Sequence, residues 1–194
     1  EGHSVKRPSG PEADQPSVWF RRIVPVGLLL LHAVLVIWSV SGERKLPTVD
    51  EPMHLMKGEL IWTEGRYDYD KLNPPLTPMV VTLPFRVLHP ALPDNWRNLS
   101  LSMMAHQFLY KNRVPMETMI WWARLMVLPF SLGLGWAVYR WATVLAGPVA
   151  GVAALAAYAL EPNVLARVGS TSSDIPVSLF LFLSVWTLWR WFIH

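Results

Sequence analysis

The sequence predicts an all-α polytopic membrane protein with about four transmembrane helices and one long external loop. Of its 194 residues, 52% are hydrophobic and only 16% charged, whereas a soluble domain carries about 25% charged residues. The apolar residues are also blocked. Residues 23–42 and 141–160 are charge-free runs of the length, roughly 20 residues, that a bilayer-spanning helix needs. Tryptophan marks the boundaries: Trp19, Trp38, Trp121, Trp122, Trp136, Trp141, Trp186, Trp189 and Trp191 fall near predicted span ends, where an indole suits the interface.

Composition excludes several chemistries. Without cysteine there is no disulfide scaffold, zinc-thiolate site, iron–sulfur cluster or thiol nucleophile. The net charge of +3 arises from 17 basic residues scattered among 14 acidic ones, with no stripe for nucleic acid.

The chain begins with a tail, residues 1–22, whose Pro, Ser and Glu content cannot build a core. Lys6, Arg7, Arg21 and Arg22 precede the first span, residues 23–40, and place the N-terminus in the cytoplasm. That span continues past Trp38 to Ser41-Gly42-Glu43 without a small-residue cleavage site, so it reads as a retained helix. Alternate threading of the cell membrane then gives an external loop at 41–118, a second span at 119–140 and a cytoplasmic loop at 141–148. A third span follows at 149–165, an external loop at 166–174 and a fourth span at 175–194. The last is short between Asp174, at the outer interface, and Arg190, which can snorkel.

The external loop holds the candidate chemistry. Asp50 suits an N-cap, Pro52 a first turn and Gly65 a C′ stop, so residues 50–64 read as one helix. Met53, Met56 and Leu60 form an apolar stripe that predicts a helix lying on the membrane surface. Asp50, His54, Gly58 and Ile61 share another face, where an acid, an imidazole and bare backbone adjoin. From local pattern alone, Asp50 and Glu51 read first as residues that cap the helix and complement its dipole. Asn73-Pro74-Pro75-Leu76 forces an extended turn before a second interfacial segment at 79–88, and residues 91–113 read as loop plus a short helix ending near Tyr110. Arg124, in the first turns of the second span, either snorkels, pairs with Glu117 or serves function. Asp174 before Ile175-Pro176 suits a cap, and Glu161-Pro162 a helix stop. Glu51 and His54 have the Glu-x-x-His spacing of half a metal site, and His32 suits an interhelical hydrogen bond.

The order Asp50-Glu51, His54, Gly58, Gly65 and Pro74-Pro75-Leu76 resembles the first external loop of the GT-C-fold, lipid-carrier-dependent glycosyltransferases, the class of the protein O-mannosyltransferases and aminoarabinose transferases. Phe108-Leu109-Tyr110, Ala123-Arg124-Leu125, the run from Leu160 to Arg167, and Thr171-Ser172-Ser173-Asp174-Ile175-Pro176 extend the likeness in the same order. The resemblance covers roughly residues 46–190 and matches the N-terminal portion of such enzymes. It implies inverting transfer of a sugar from a polyprenyl-phosphate donor to an acceptor hydroxyl of a protein, lipid or glycan on the external face. Asp50 is then the catalytic base, Glu51 its neighbour and Asp174 the second acid, with His54, Pro74, Pro75 and Arg124 at the substrate. A carboxylate that accepts the hydroxyl proton contributes typically about 10² to 10⁴-fold. The lipid phosphate leaves readily and needs a cation, either Arg124 or a divalent metal, and no other cofactor is called for. The alternatives are a non-catalytic transporter or assembly subunit, disfavoured because the polar candidates avoid mid-bilayer, and transfer of a whole oligosaccharide on the same fold.

Overall fold

The computed structural model of the chain describes residues 18–42, 46–71 and 73–193. Lys6 and Arg7 of the tail, Glu43 and His194 lie outside the described residues. Every regular element among the described residues is helical. Three stretches are long and apolar enough to cross a membrane: Trp19–Ser41, Met116–Leu160 and Asp174–Ile193.

The first stretch is α1 (Val18–Ser41). The middle one comprises α6 (Met116–Leu125) and α7 (Leu128–Leu160), and it is no rod. Ser131 Oγ lies 2.8 Å from Tyr158 OH, a pair that a straight helix would hold about 40 Å apart at 1.5 Å per residue. The chain reverses at Gly147, whose φ of 87° and ψ of 175° belong to a region that essentially only glycine occupies. The two arms then pack tightly. A Cβ on Gly151 would sit 2.0 Å from Thr143 Oγ1, and one on Gly135 2.9 Å from the Tyr158 ring.

Cross-contacts fix the direction of each pass. Trp121 Nε1 donates to Ser41 Oγ at 3.1 Å and Tyr139 OH to the Arg21 carbonyl at 2.9 Å, so residues 116–146 run antiparallel to α1. His32 Nδ1 bonds the Ala159 carbonyl at 2.9 Å, and the following α8 (Pro162–Val168) ends beside Ser39, so residues 148–168 run parallel to α1. α9 (Asp174–Ile193) sets Leu179 against Gly133 and Trp189 near Trp141, which returns the chain in the opposite sense. The chain thus passes up and down four times, with residues 46–115 and 169–173 at one end and Gly147 at the other. The expected third span over 149–165 is interrupted. α7 stops at Leu160 because Glu161 turns extended (ψ 118°), and the Glu161 carboxylate accepts the Asn163 amide to start α8.

The layer at the first end comprises α2 (Glu51–Glu64), α3 (Leu76–Val81), α4 (Phe85–Leu88), a 3₁₀ turn (Trp96–Asn98) and α5 (Leu101–Tyr110). α2 departs from the surface helix expected of its methionine stripe. Every residue from His54 to Ile61 is buried, because α3 and α5 flank it. Its core partners include Phe85, Phe108 and Met119. Gly58 permits the closest approach: a Cβ there would lie 2.2 Å from the Pro78 carbonyl oxygen and 2.3 Å from Thr82 Oγ1. Charges buried with the helix are paired. Glu59 bonds Arg86, and Lys57 Nζ donates to the carbonyls of Asp70 (2.5 Å) and Asn73. Burial pushes the Glu59 carboxyl above its ordinary range, and the neighbouring Arg86 guanidinium opposes that shift.

Candidate functional site

The N-terminus of α2 is the point where the layer at this end and the long apolar helices are tied together. Glu51 opens the helix and is 1% exposed. Its carboxylate takes Arg124 in a two-pronged pair, Nε to Oε1 at 2.8 Å and Nη2 to Oε2 at 2.7 Å. Oε2 also accepts the Thr48 amide at 2.8 Å, and Oε1 the Thr171 amide at 3.1 Å. Four donors from three chain segments therefore converge on one carboxylate, which is how a buried charge is made tolerable. Arg124 further donates to the Leu46 carbonyl at 3.3 Å. Its partner is thus Glu51, not Glu117, and it is 3% exposed, so the snorkelling role and the direct phosphate contact expected of it both give way to a clamp.

His54, one turn on, is 4% exposed and donates from Nδ1 to the Thr171 carbonyl at 2.8 Å. With Glu51 it holds both ends of the same peptide unit pair at Thr171. The Glu-x-x-His spacing therefore serves a loop rather than a metal. Among the described residues no three His, Asp or Glu side chains gather as an ion would require. Glu51 and His54 do not fit a divalent cation, because the donors around them are amides and a guanidinium.

Asp50 differs from its neighbour. It is exposed, has φ −90° and ψ −22°, and its side chain makes no cap hydrogen bond, so the expected capping role is not taken up. Asp174 is also exposed at the start of α9, and its Oδ2 lies 3.0 Å from Arg167 Nη1 at the end of α8. Three residues of chain span at most about 11 Å, so the Thr171 knot keeps Asp174 close to the α2 N-terminus. Thr171 Oγ1, Ser172 Oγ and Ser173 Oγ are buried in this loop without a hydrogen-bond partner among the described residues. Buried hydroxyls left unpaired cost about 1–3 kcal/mol each, which makes them candidates to meet a ligand. Pro74 and Pro75 are exposed at the start of α3, beyond the carbonyls that Lys57 holds.

Arg167 and the three hydroxyls are the residues that the sequence reading did not assign. Arg167 closes the run from Leu160 that extends the family likeness, but nothing in that run gave it a role; the unpaired state of the hydroxyls has no sequence signal. Searches of family models, characterised proteins and solved structures return no match to this chain.

Proposed function

We propose that the chain carries the acceptor-activating site of a membrane glycosyltransferase of the GT-C type, which moves a sugar from a polyprenyl-phosphate donor to an acceptor hydroxyl on the external face. The observation that supports this best is the contrast at the α2 N-terminus. A free, exposed Asp50 stands beside a rigid Glu51–Arg124 pair, and a loop with an exposed Asp174–Arg167 pair and unpaired hydroxyls is fastened to the same point. Asp50 accepts the proton of the acceptor hydroxyl as its oxygen bonds the anomeric carbon. The bond from that carbon to the phosphate oxygen breaks with its electron pair on the departing lipid phosphate, so configuration inverts. Arg167 is the accessible cation for the phosphate charge, and the Thr171–Ser173 hydroxyls can donate to phosphate or sugar oxygens. Glu51, Arg124 and His54 are positioning residues, and Asp174 orients Arg167. The apolar outer faces of the spanning helices leave the polyprenyl tail in lipid while the sugar reaches this end of the bundle.

Asp50→Asn tests the reading. In membranes containing the protein, supplied with polyprenyl-phosphate-linked sugars and a hydroxyl acceptor, transfer should fall at least about 10²-fold with thermal stability unchanged. Activity within a few-fold of the parent would remove Asp50 as the base. Absence of transfer by the parent with every donor would remove the assignment.

A further inference from the structure

A cavity of about 280 Å³ opens at the end of α2 away from Asp50 and belongs to none of the groups above. At 1.5 Å per residue the helix places it roughly 15–20 Å from Asp50. Its lining combines apolar side chains, among them Leu60 and Met104, with Trp96 and the charged Arg66, Asp68 and Arg97. Arg66 grips Asp68 through two bonds, Nε to Oδ1 at 2.7 Å and Nη2 to Oδ2 at 2.8 Å, and Arg97 donates to Glu64 at 2.9 Å. The guanidinium carbons of Arg97 and Arg66 lie 4.3 Å and 5.8 Å from the Trp96 ring centre.

The charge pattern decides the ligand class. Of the charged groups in the lining, Arg66 is paired with Asp68 and Arg97 with Glu64, which stands outside the lining, so each arginine is already neutralised and an anion would have to displace a carboxylate from it. A guanidinium has five donors, and these bonds use two on Arg66 and one on Arg97, while the Asp68 carboxylate keeps spare lone pairs. A lining that offers donors and acceptors together with apolar side chains matches a ligand with hydroxyls on its edge and C–H bonds on its face. The volume lies just below the usual lower bound of about 300 Å³ for ligand pockets, the size of one small ring.

We propose that this cavity binds a single unit of a neutral saccharide. If the transfer reading holds, it is the remote subsite of a glycan acceptor, and that extension alone rests on the reading.

Saturation-transfer NMR on the detergent-solubilised full chain tests binding without any donor. The probes are the methyl glycosides of glucose, mannose, galactose, arabinose and N-acetylglucosamine, with inorganic phosphate as competitor. At least one glycoside should bind, phosphate should not displace it, and Trp96→Ala and Asp68→Asn should each weaken it about tenfold. Asp68 is exposed, so its variant keeps the fold if that of Trp96 does not. Asp50→Asn should bind as the parent does, which separates this site from the transfer chemistry. Failure of all five glycosides, displacement by phosphate, or undiminished binding in Asp68→Asn would overturn the proposal.

Discussion

In the spanning bundle the large apolar side chains point outward, with Leu30, Val34, Leu181 and Trp191 exposed, while around α2 they point inward and charged residues are buried among them. The two regions therefore depend on different forces. Lipid provides no hydrophobic drive between helices, so the bundle relies on close backbone approach at Gly135 and Gly151 and on a few polar pins. The layer around α2 is a packed core in the aqueous sense, and its charges are costly unless each has a partner. Breaking a partner in the layer should thus cost far more than breaking one in the bundle.

Arg124→Met gives the largest expected effect. It leaves Glu51 buried with its main counter-charge gone, a loss of about 3–5 kcal/mol. For a chain of this size that is a fall in Tm of roughly 10 °C or more. Adding Glu51→Gln should recover part of it, because the amide oxygen still accepts from the Thr48 or Thr171 backbone and no charge remains buried. Thermal unfolding of the solubilised single and double variants checks both. A double variant no more stable than the single one would mean that the hydrogen bonds, and not the charge balance, hold the joint.

Gly58→Ala tests packing in the same layer. The new methyl would meet the Pro78 carbonyl oxygen at 2.2 Å and Thr82 Oγ1 at 2.3 Å, well inside a normal contact distance, and one of those two atoms is backbone. α3 must move off α2, at about 1–3 kcal/mol. Proteolysis of the 66–75 connection should accelerate accordingly, and a parent-like rate would show that α3 shifts freely.

The elements with local signals were legible. Gly65 marked the end of α2 with its left-handed φ of 64°, and α5 ends at Tyr110 as its polar pattern implied, whereas the charge-free run 141–160 contains the reversal at Gly147 and is not a single pass. The joint was not legible, because Glu51 and Arg124 are 73 residues apart and nothing in either neighbourhood names the other. Burial of α2 was hidden for a similar reason. Lys57 and Glu59 point to different faces, and a helix with charges on several faces looks solvated until Asp70, Asn73 and Arg86 are found covering them. Asp50 and Glu51 are indistinguishable as adjacent acids; only the tertiary fold makes one a clamp and leaves the other free.

His32 gives the smallest expected effect and sharpens the contrast most. It lies in mid-bundle, fully buried, and bonds both Ala159 on the return arm and Ser131 Oγ at 2.8 Å on the descending arm. In water-filled surroundings the loss of two buried bonds would rank with that of Arg124. Within a bilayer the measured average is about 0.6 kcal/mol per interhelical bond, because the separated helices find other partners. Two further conditions limit the loss here. Ser131 keeps Tyr158 as a partner at 2.8 Å, and the Ala159 carbonyl loses a single bond, the one to the ring. His32→Leu should therefore lower Tm by only a few degrees, several-fold less than Arg124→Met in the same detergent. A fall equal to that of Arg124→Met would show that the pin at mid-bundle, and not the joint at α2, carries the stability of the chain.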